Sequence, residues 1–324
     1  MLGLIRIIIV AAAMAIFITG ALAQSYPTRP IRLIVAFPPG GATDVIVRTI
    51  AAPLGARLGQ SVVVDNRPGA NGNLAAELAA KSRPDGYTLM VGSDSLFGIN
   101  PHLYAKMPVD PMTDFAPVAN LVANQVVLAV NPSLVPVNDL RQFVASVRNS
   151  SKPLFYASIG NGSQHHLAME MLKQHTGINL THVPYKGGGP AAIAVVSGEV
   201  AAMFGGGSVV PLIKSGKLRA LAASGRQRYA SLPELPTIGE IFPGYEVTIW
   251  QALFAPAGTP PAIVDRLRSE VNAVLARPDV AEKLIASGSG EPSIIPLADF
   301  SSMIRNDYEK YGKVIREIGL KVDD

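Results

Sequence analysis

Ala36-Phe37-Pro38-Pro39-Gly40-Gly41-Ala42-Thr43-Asp44 separates two apolar runs near the start of the chain. Before it, Ile31-Arg32-Leu33-Ile34-Val35 is a short β-branched run that reads as a buried strand. After it, Ile46, Ile50, Leu54 and Leu58 recur every four residues, on one face of a helix. Residues 37–44 therefore form a strand-to-helix turn. Two prolines stiffen its first half and two glycines strip its second half of side chains, so the amides of Gly40, Gly41 and Ala42 can face an anion in front of the helix. The same residues also suit an ordinary βα turn capped by Thr43 or Asp44. Pro53 removes one hydrogen bond inside the helix and is expected to kink or shorten it.

Outward from this unit, strand-like and helix-like segments alternate along the chain, the pattern of an α/β fold with a largely parallel sheet. Strands are expected at 61–65, 87–91, 125–130, 154–158, 179–184, 200–204, 218–224 and 247–255. Helices are expected at 74–81, 139–148, 164–175, 191–198 and 209–215, with Thr237 capping a short one. Residues 92–117 hold several prolines and little periodicity, and read as loop and short helix. A tail of three helices follows, at about 260–276, 279–286 and 298–318, the first capped by Thr259 with Pro260 at its first position. Having almost no strand, the tail is expected to pack back on the first half. That makes domain 1 discontinuous, 24–127 plus 248–324, around a domain 2 at 128–247.

The ends and the composition limit the function. Residues 1–23 carry one charge, Arg6, a long apolar run and Ala21-Leu22-Ala23 before Gln24, as in a secretory signal peptide cleaved after Ala23. A retained membrane anchor is the competing reading. No second apolar run of about 18 residues follows, so an exported, soluble mature protein is expected. The full chain's balance of 28 Lys and Arg against 24 Asp and Glu, one fewer cation once Arg6 is removed, is mildly basic without clusters, which disfavours nucleic acid and suits a small acidic ligand. With no cysteine, disulfides, thiol catalysis and Cys-ligated metal are excluded.

Four Gly-rich turns precede helices, at 38–44, 66–73, 158–163 and 205–208. In open α/β sheets ligands bind where such turns leave the carboxyl ends of strands. A carboxylate held between turns of two domains accepts charge-assisted bonds of about 1.5–3 kcal/mol each, with about 0.3–1 kcal/mol per helix dipole. A ligand touching both domains favours the closed state.

Against catalysis, there is no G-x-S-x-G, P-loop, G-x-G-x-x-G or H-E-x-x-H. Ser163 and His166, three apart at a helix start, are the candidate nucleophile and base. They fit equally a serine cap beside a half-buried or ligand-contacting histidine. An exported serine hydrolase is thus the alternative to a binding protein. Adjacent His165 and His166 diverge by about 100° and are poorly placed to share a metal. Neither metal nor cofactor is expected. Tyr26, Phe37, Phe97 and Trp250 are candidate pocket walls or core residues.

A series of motifs then resembles one family. Tyr26-Pro27, F-P-P-G-G-A-T-D at 37–44, N-R-P-G-A-N-G-N at 66–73, P-D-G-Y-T-L at 84–89 and I-N-P at 99–101 begin it. S-I-G-N-G-S-Q-H-H-L at 158–167, V-P-Y-K-G at 183–187, G-K-L-R-A-L-A at 216–222 and F-A-P-A-G-T-P at 254–260 continue it. In this order they are similar to the Bug family, periplasmic solute-binding receptors of tripartite tricarboxylate transporters.

The resemblance implies a two-domain periplasmic-binding-protein fold, a type II-like Venus flytrap with two crossover strands. It would act as a periplasmic monomer, holding a small carboxylate (a di- or tricarboxylate, aromatic acid or amino acid) and delivering it to the membrane subunits of a transporter. A signalling membrane protein is an alternative partner. The implied ligand contacts are Phe37, Pro38, Gly40, Gly41, Ala42, Thr43 and Asp44 from the first loop. Ser158, Gly160, Asn161, Gly162, Ser163 and His166 come from the second, with Tyr185 nearby. Two departures lie at the expected mouth. Gly205 and Gly206 follow Met203-Phe204 where relatives often carry an acid, and Ser93 and Asp94 lie in an unusual G-S-D-S-L-F-G.

Overall fold

The computed structural model describes residues 26–229 and 232–321, so the expected signal peptide and its cleavage site lie outside the described residues. Strand β1 (Ile31–Val35) leads into helix α1 (Ala42–Leu58), β2 (Val62–Asn66), α2 (Asn73–Ala80) and β3 (Thr88–Ser93). A one-turn π-helical segment (Ser95–Ile99) and a short helix (Asn100–Leu103) precede β4 (Phe115–Asn124) and β5 (Val127–Val130). Then come α3 (Leu140–Arg148), β6 (Phe155–Ser158), α4 (Gln164–Thr176), β7 (Thr181–Pro184), α5 (Gly188–Ser197), β8 (Ala202–Gly205) and β9 (Arg219–Ala223). The chain returns through β10 (Ile249–Pro256), α6 (Pro261–Leu275), α7 (Pro278–Ala286), β11 (Glu291–Pro292) and α8 (Leu297–Ile318).

These strands build two sheets, one per lobe. Lobe one has the order β11-β4-β10-β3-β1-β2 and lobe two β7-β6-β8-β5-β9. Neither sheet is purely parallel, because the strands that carry the chain between lobes run against their neighbours. β10 is antiparallel to β3 and β4, and β5 is antiparallel to β8 and β9. The two crossings are tied together at Ser224. Its hydroxyl donates to Val247 O at 2.7 Å and accepts from Val126 N–H at 3.1 Å.

Local rules explain most elements, and packing overrules some. Pro53 does not shorten α1, which runs on to a left-handed Gly59 at φ 69°. The buried stripe of Ile46, Ile50, Leu54 and Leu58 is worth roughly 6–12 kcal/mol by burial, against about 3 kcal/mol for the proline. β4 overturns the reading of residues 115–117 as loop: Pro117 is accommodated opposite Phe254, beside a register shift against β10. Thr259 does not cap α6. Its hydroxyl donates to Pro256 O at 2.7 Å, leaving Pro260 as N-cap and Pro261 in the first turn.

The C-terminal helix only partly follows its expected course. Phe300 and Ile304 of α8 pack with Trp250 and Phe254 in lobe one. Tyr311, Val314 and Ile315 instead join lobe two's core, together with Ile99 and Leu103. α8 therefore bridges both lobes.

Candidate functional site

The first turn is a loop fixed from below by one carboxylate. Asp44 lies in the first turn of α1, almost wholly buried. Its Oδ2 accepts from Gly40 N–H and from Arg48 Nε, each at 2.9 Å, and its Oδ1 accepts from Asn66 Nδ2 at 2.9 Å. Asn66 Nδ2 also donates to Phe37 O at 3.0 Å, so both ends of the loop are held. The Arg48 hydrogen bond, ahead of the Gly40 and Asn66 bonds, holds the Asp44 carboxyl at about 2. It is ionised at neutral pH.

This wiring corrects the expected amide set. Gly40 spends its N–H on Asp44, and Gly41 N–H makes a long 3.4 Å bond back to Pro38 O. Gly41 is the N-cap of α1 and no side chain caps the helix. The donors that helix geometry leaves without an intrahelical acceptor are those of Ala42, Thr43 and Asp44. Gly40 earns its place by conformation, at φ 81°, rather than by its donor.

The second turn is wired by hydroxyl and imidazole groups. Ser163 caps α4, its Oγ accepting from His166 N–H at 3.3 Å and donating to Gly160 O at 2.7 Å. Ser158 Oγ donates to Gly160 O at 2.9 Å, accepts Gly160 N–H at 3.1 Å and lies 2.6 Å from His182 Nε2. His166 Nδ1 accepts from Gly162 N–H at 3.1 Å, and its ring stacks on His182 with centroids 3.8 Å apart. Burial drives both rings down, His166 to about 3 and His182 to about 4, so both are neutral.

The serine hydrolase alternative has no geometry behind it here. The imidazole of His166 is engaged by Gly162, and the bond between His166 and Ser163 Oγ comes from the backbone. Gly162 also meets the short helix at 100–103, whose Leu103 is buried in lobe two's core: a Cβ there would lie 2.3 Å from Leu103 Cδ2.

Other expected site residues are spread more widely. Ser93 and Asp94 are buried at the end of β3, and Asp94 Oδ1 accepts from Gln164 Nε2 of lobe two at 2.9 Å. Phe37 is half-buried beside lobe one's core, whereas Phe97 and Trp250 lie inside it, with Phe97 stacked on Phe254 at 4.0 Å. Tyr26 donates to Gly86 O at 2.6 Å. Tyr185 donates to Glu199 Oε1 at 2.7 Å. A Cβ on Gly205 would lie 2.4 Å from Val209, while one on Gly206 meets nothing within 4 Å. Asn161 is exposed at the tip of the second loop. Sequence reasoning missed Asn66, Gln164 and His182, whose roles rest on contacts far along the chain.

The sequence profile described as the tripartite tricarboxylate transporter family receptor, TctC, matches residues 46–320. The chain belongs to this family. Its curated relatives include protein BugT of Bordetella pertussis, 36% identical over 325 residues, covering 99% of this chain and 98% of BugT. Among solved TctC-like structures, R. palustris Rpa4515 with adipate is 36% identical at a TM-score of 0.78, covering 92% of this chain and all of that one. MatC (Rpa3494) from Rhodopseudomonas palustris with bound malate is 33% identical at 0.74, covering 90% of this chain and all of its own. The two-lobed periplasmic-binding-protein fold is thus shared, and TctC proteins are solute receptors rather than enzymes. Among the described residues no helix is long and apolar enough to cross a membrane.

Proposed function

We propose that this TctC-family receptor captures a small carboxylate between its lobes in the periplasm and delivers it, as a monomer, to the membrane subunits of a tripartite tricarboxylate transporter. The supporting observation is that each lobe carries a βα turn opening on the N-terminus of a long helix. The amides of Ala42 and Thr43 on α1 and of Gln164 and His165 on α4 belong to first helical turns, which leave such donors without intrahelical partners. Each bond to an ionised ligand is worth about 1.5–3 kcal/mol, so a few suffice for micromolar capture. Relatives in complex with adipate and malate support the same ligand class.

Calorimetry across a panel of aliphatic, hydroxylated and aromatic acids tests this reading, with the uncharged amides as controls. At a hundredfold excess over Kd, a true ligand stabilises the fold by about 2.7 kcal/mol, a rise in Tm of about 5 °C. Acids that give no heat and no shift beyond their amides would refute it.

A further inference from the structure

Asp94 follows β3 in lobe one and is fully enclosed. Its bond to Gln164 crosses to the other lobe and reaches the residue directly after the second loop. The same loop packs at Gly162 on Leu103, a side chain that follows Asp94 in the chain and is buried in lobe two's core, and Leu103 leaves no room for a side chain there. Asp94 Oδ2 has no hydrogen-bond partner, and neither has the Tyr311 hydroxyl. The charged groups facing the carboxyl, Asp307 and Lys310, come from α8. They are engaged with each other, Lys310 Nζ lying 2.6 Å from Asp307 Oδ1, while Asp307 Oδ2 takes the Trp250 indole N–H at 2.7 Å. Tyr311, facing Asp307, Asp94, Tyr245 and Glu246, keeps its proton. Asp94 therefore has no cation of its own. Ionised, it would be an unpaired buried charge opposite another carboxylate.

We infer that Asp94 is a positioning residue for the clamp, seating the 160–163 loop on lobe one through Gln164, so that closure of the lobes takes up one proton. This inference rests on the proposed ligand-capture reading. Burial, the largest cause, raises the enclosed carboxyl to about 8. When the lobes part and water reaches it, it returns toward about 4. Between these values closing binds a proton. Apparent affinity for an ionised ligand then falls as pH rises, by up to about tenfold per unit, and levels off above about 8.

The test is calorimetry of the mature chain with adipate and with malate at about pH 6.5 and about pH 8.5. The wild type is expected to bind at least about fivefold more weakly at the higher pH. Asp94→Asn keeps an acceptor for Gln164 but cannot ionise, so its profile flattens. Gln164→Ala weakens binding at the lower pH by about tenfold but keeps the pH dependence, because the Gln164 donor favours the ionised carboxyl and its loss leaves Asp94 enclosed and still able to titrate. Parallel profiles for the wild type and Asp94→Asn overturn the inference.

A ligand-free readout separates it from the receptor reading. The chain has no cysteine, so Lys81→Cys and Lys214→Cys place one spin label on each lobe. The interlobe distance distribution should widen between the two pH values in the wild type and not in Asp94→Asn. If no acid of the panel binds yet the distance tracks pH through Asp94, the role of Asp94 stands and the receptor reading falls. Binding with pH-independent affinity and distance removes that role alone.

Discussion

Replacing Asp44 by alanine separates the loop's conformation from its chemistry. Asp44 accepts three bonds at 2.9 Å, from Gly40, Asn66 and Arg48. Bonds to a charged acceptor contribute about 1.5–3 kcal/mol each, while the ion pair with the solvent-exposed Arg48 guanidinium is screened by water and is left out of the sum. Gly40 is exposed and regains a water when its acceptor goes, so the lower figure applies to it. The Gly40 and Asn66 bonds sum to about 3–4.5 kcal/mol. If half of it reappears as the cost of reordering the loop on each binding event, affinity falls about 10- to 50-fold. The remainder lowers Tm by a few degrees. Calorimetry with adipate and a thermal melt measure the two parts. The pH dependence has a definite sign. Asp44 sits at about 2 when folded, so its contribution is present above about pH 4 and is lost as the pH falls toward 2, and Asp44→Ala should lack that acid loss. A variant with a lowered Tm and affinity within twofold of wild type would refute the reasoning, since the loop would then keep its shape without its staple.

Three further outcomes follow from the same geometry. Gly40→Ala should bind about fivefold more weakly than Gly41→Ala, because Gly40 stands at φ 81° while Gly41 stands at φ −76° with only an ordinary 3.4 Å contact to Pro38 O; equal affinities by calorimetry would contradict this. The His166 and His182 ring protons should not titrate by NMR between about pH 8 and 5, and because the unfolded rings take protons near 6.5 first, these residues make the fold less stable as pH drops below that value. A ring that titrates near 6.5 would mean that its burial is wrong. A fragment of residues 126–247 should show no cooperative melt by circular dichroism, since Ile99, Leu103, Tyr311, Val314 and Ile315 complete its core from outside; a sharp transition near that of the whole chain would contradict that account.

Legibility in the sequence followed the range of the interactions. β1, its turn and α1 were readable because a β-branched run, a Pro-Pro-Gly-Gly break and a four-residue period each act within a few positions of the chain. β4 was hidden for the same reason: Pro108, Pro111 and Pro117 are local breakers, whereas its strand is made by pairing with β10, more than 120 residues later. The site divides in the same way. Both loops were located, and the serine cap of α4 was among the alternatives. Their internal wiring was not, because Asp44 meets Asn66 across 22 positions and Asp94 meets Gln164 across 70. The rings of Tyr156, His166 and the sequence-silent His182 cluster only after β6 and β7 pair. Relatedness supplied the ligand class, which neither loop specifies, because open amides accept any carboxylate of suitable size.

The placement of α8 constrains how such a clamp opens. Independent lobes joined only by the two crossings at Ser224 would be free to swing apart, the default for interfaces that are small and polar. Here one helix has Phe300 and Ile304 in the first core and Tyr311, Val314 and Ile315 in the second. Withdrawing those three side chains from lobe two would expose area worth roughly 4–9 kcal/mol, comparable with the binding energy of a micromolar ligand. An opening that withdrew them would cancel most of what a ligand of that affinity returns on closure, so the expected movement is a rotation in which the C-terminal half of α8 stays with lobe two. Buried side chains near that pivot then face a choice of partners, and Asp94, Gln164 and Tyr311 lie there, two of them with an unsatisfied polar atom. The polar residues enclosed between the lobes are therefore where small changes in charge should shift the balance between open and closed most strongly.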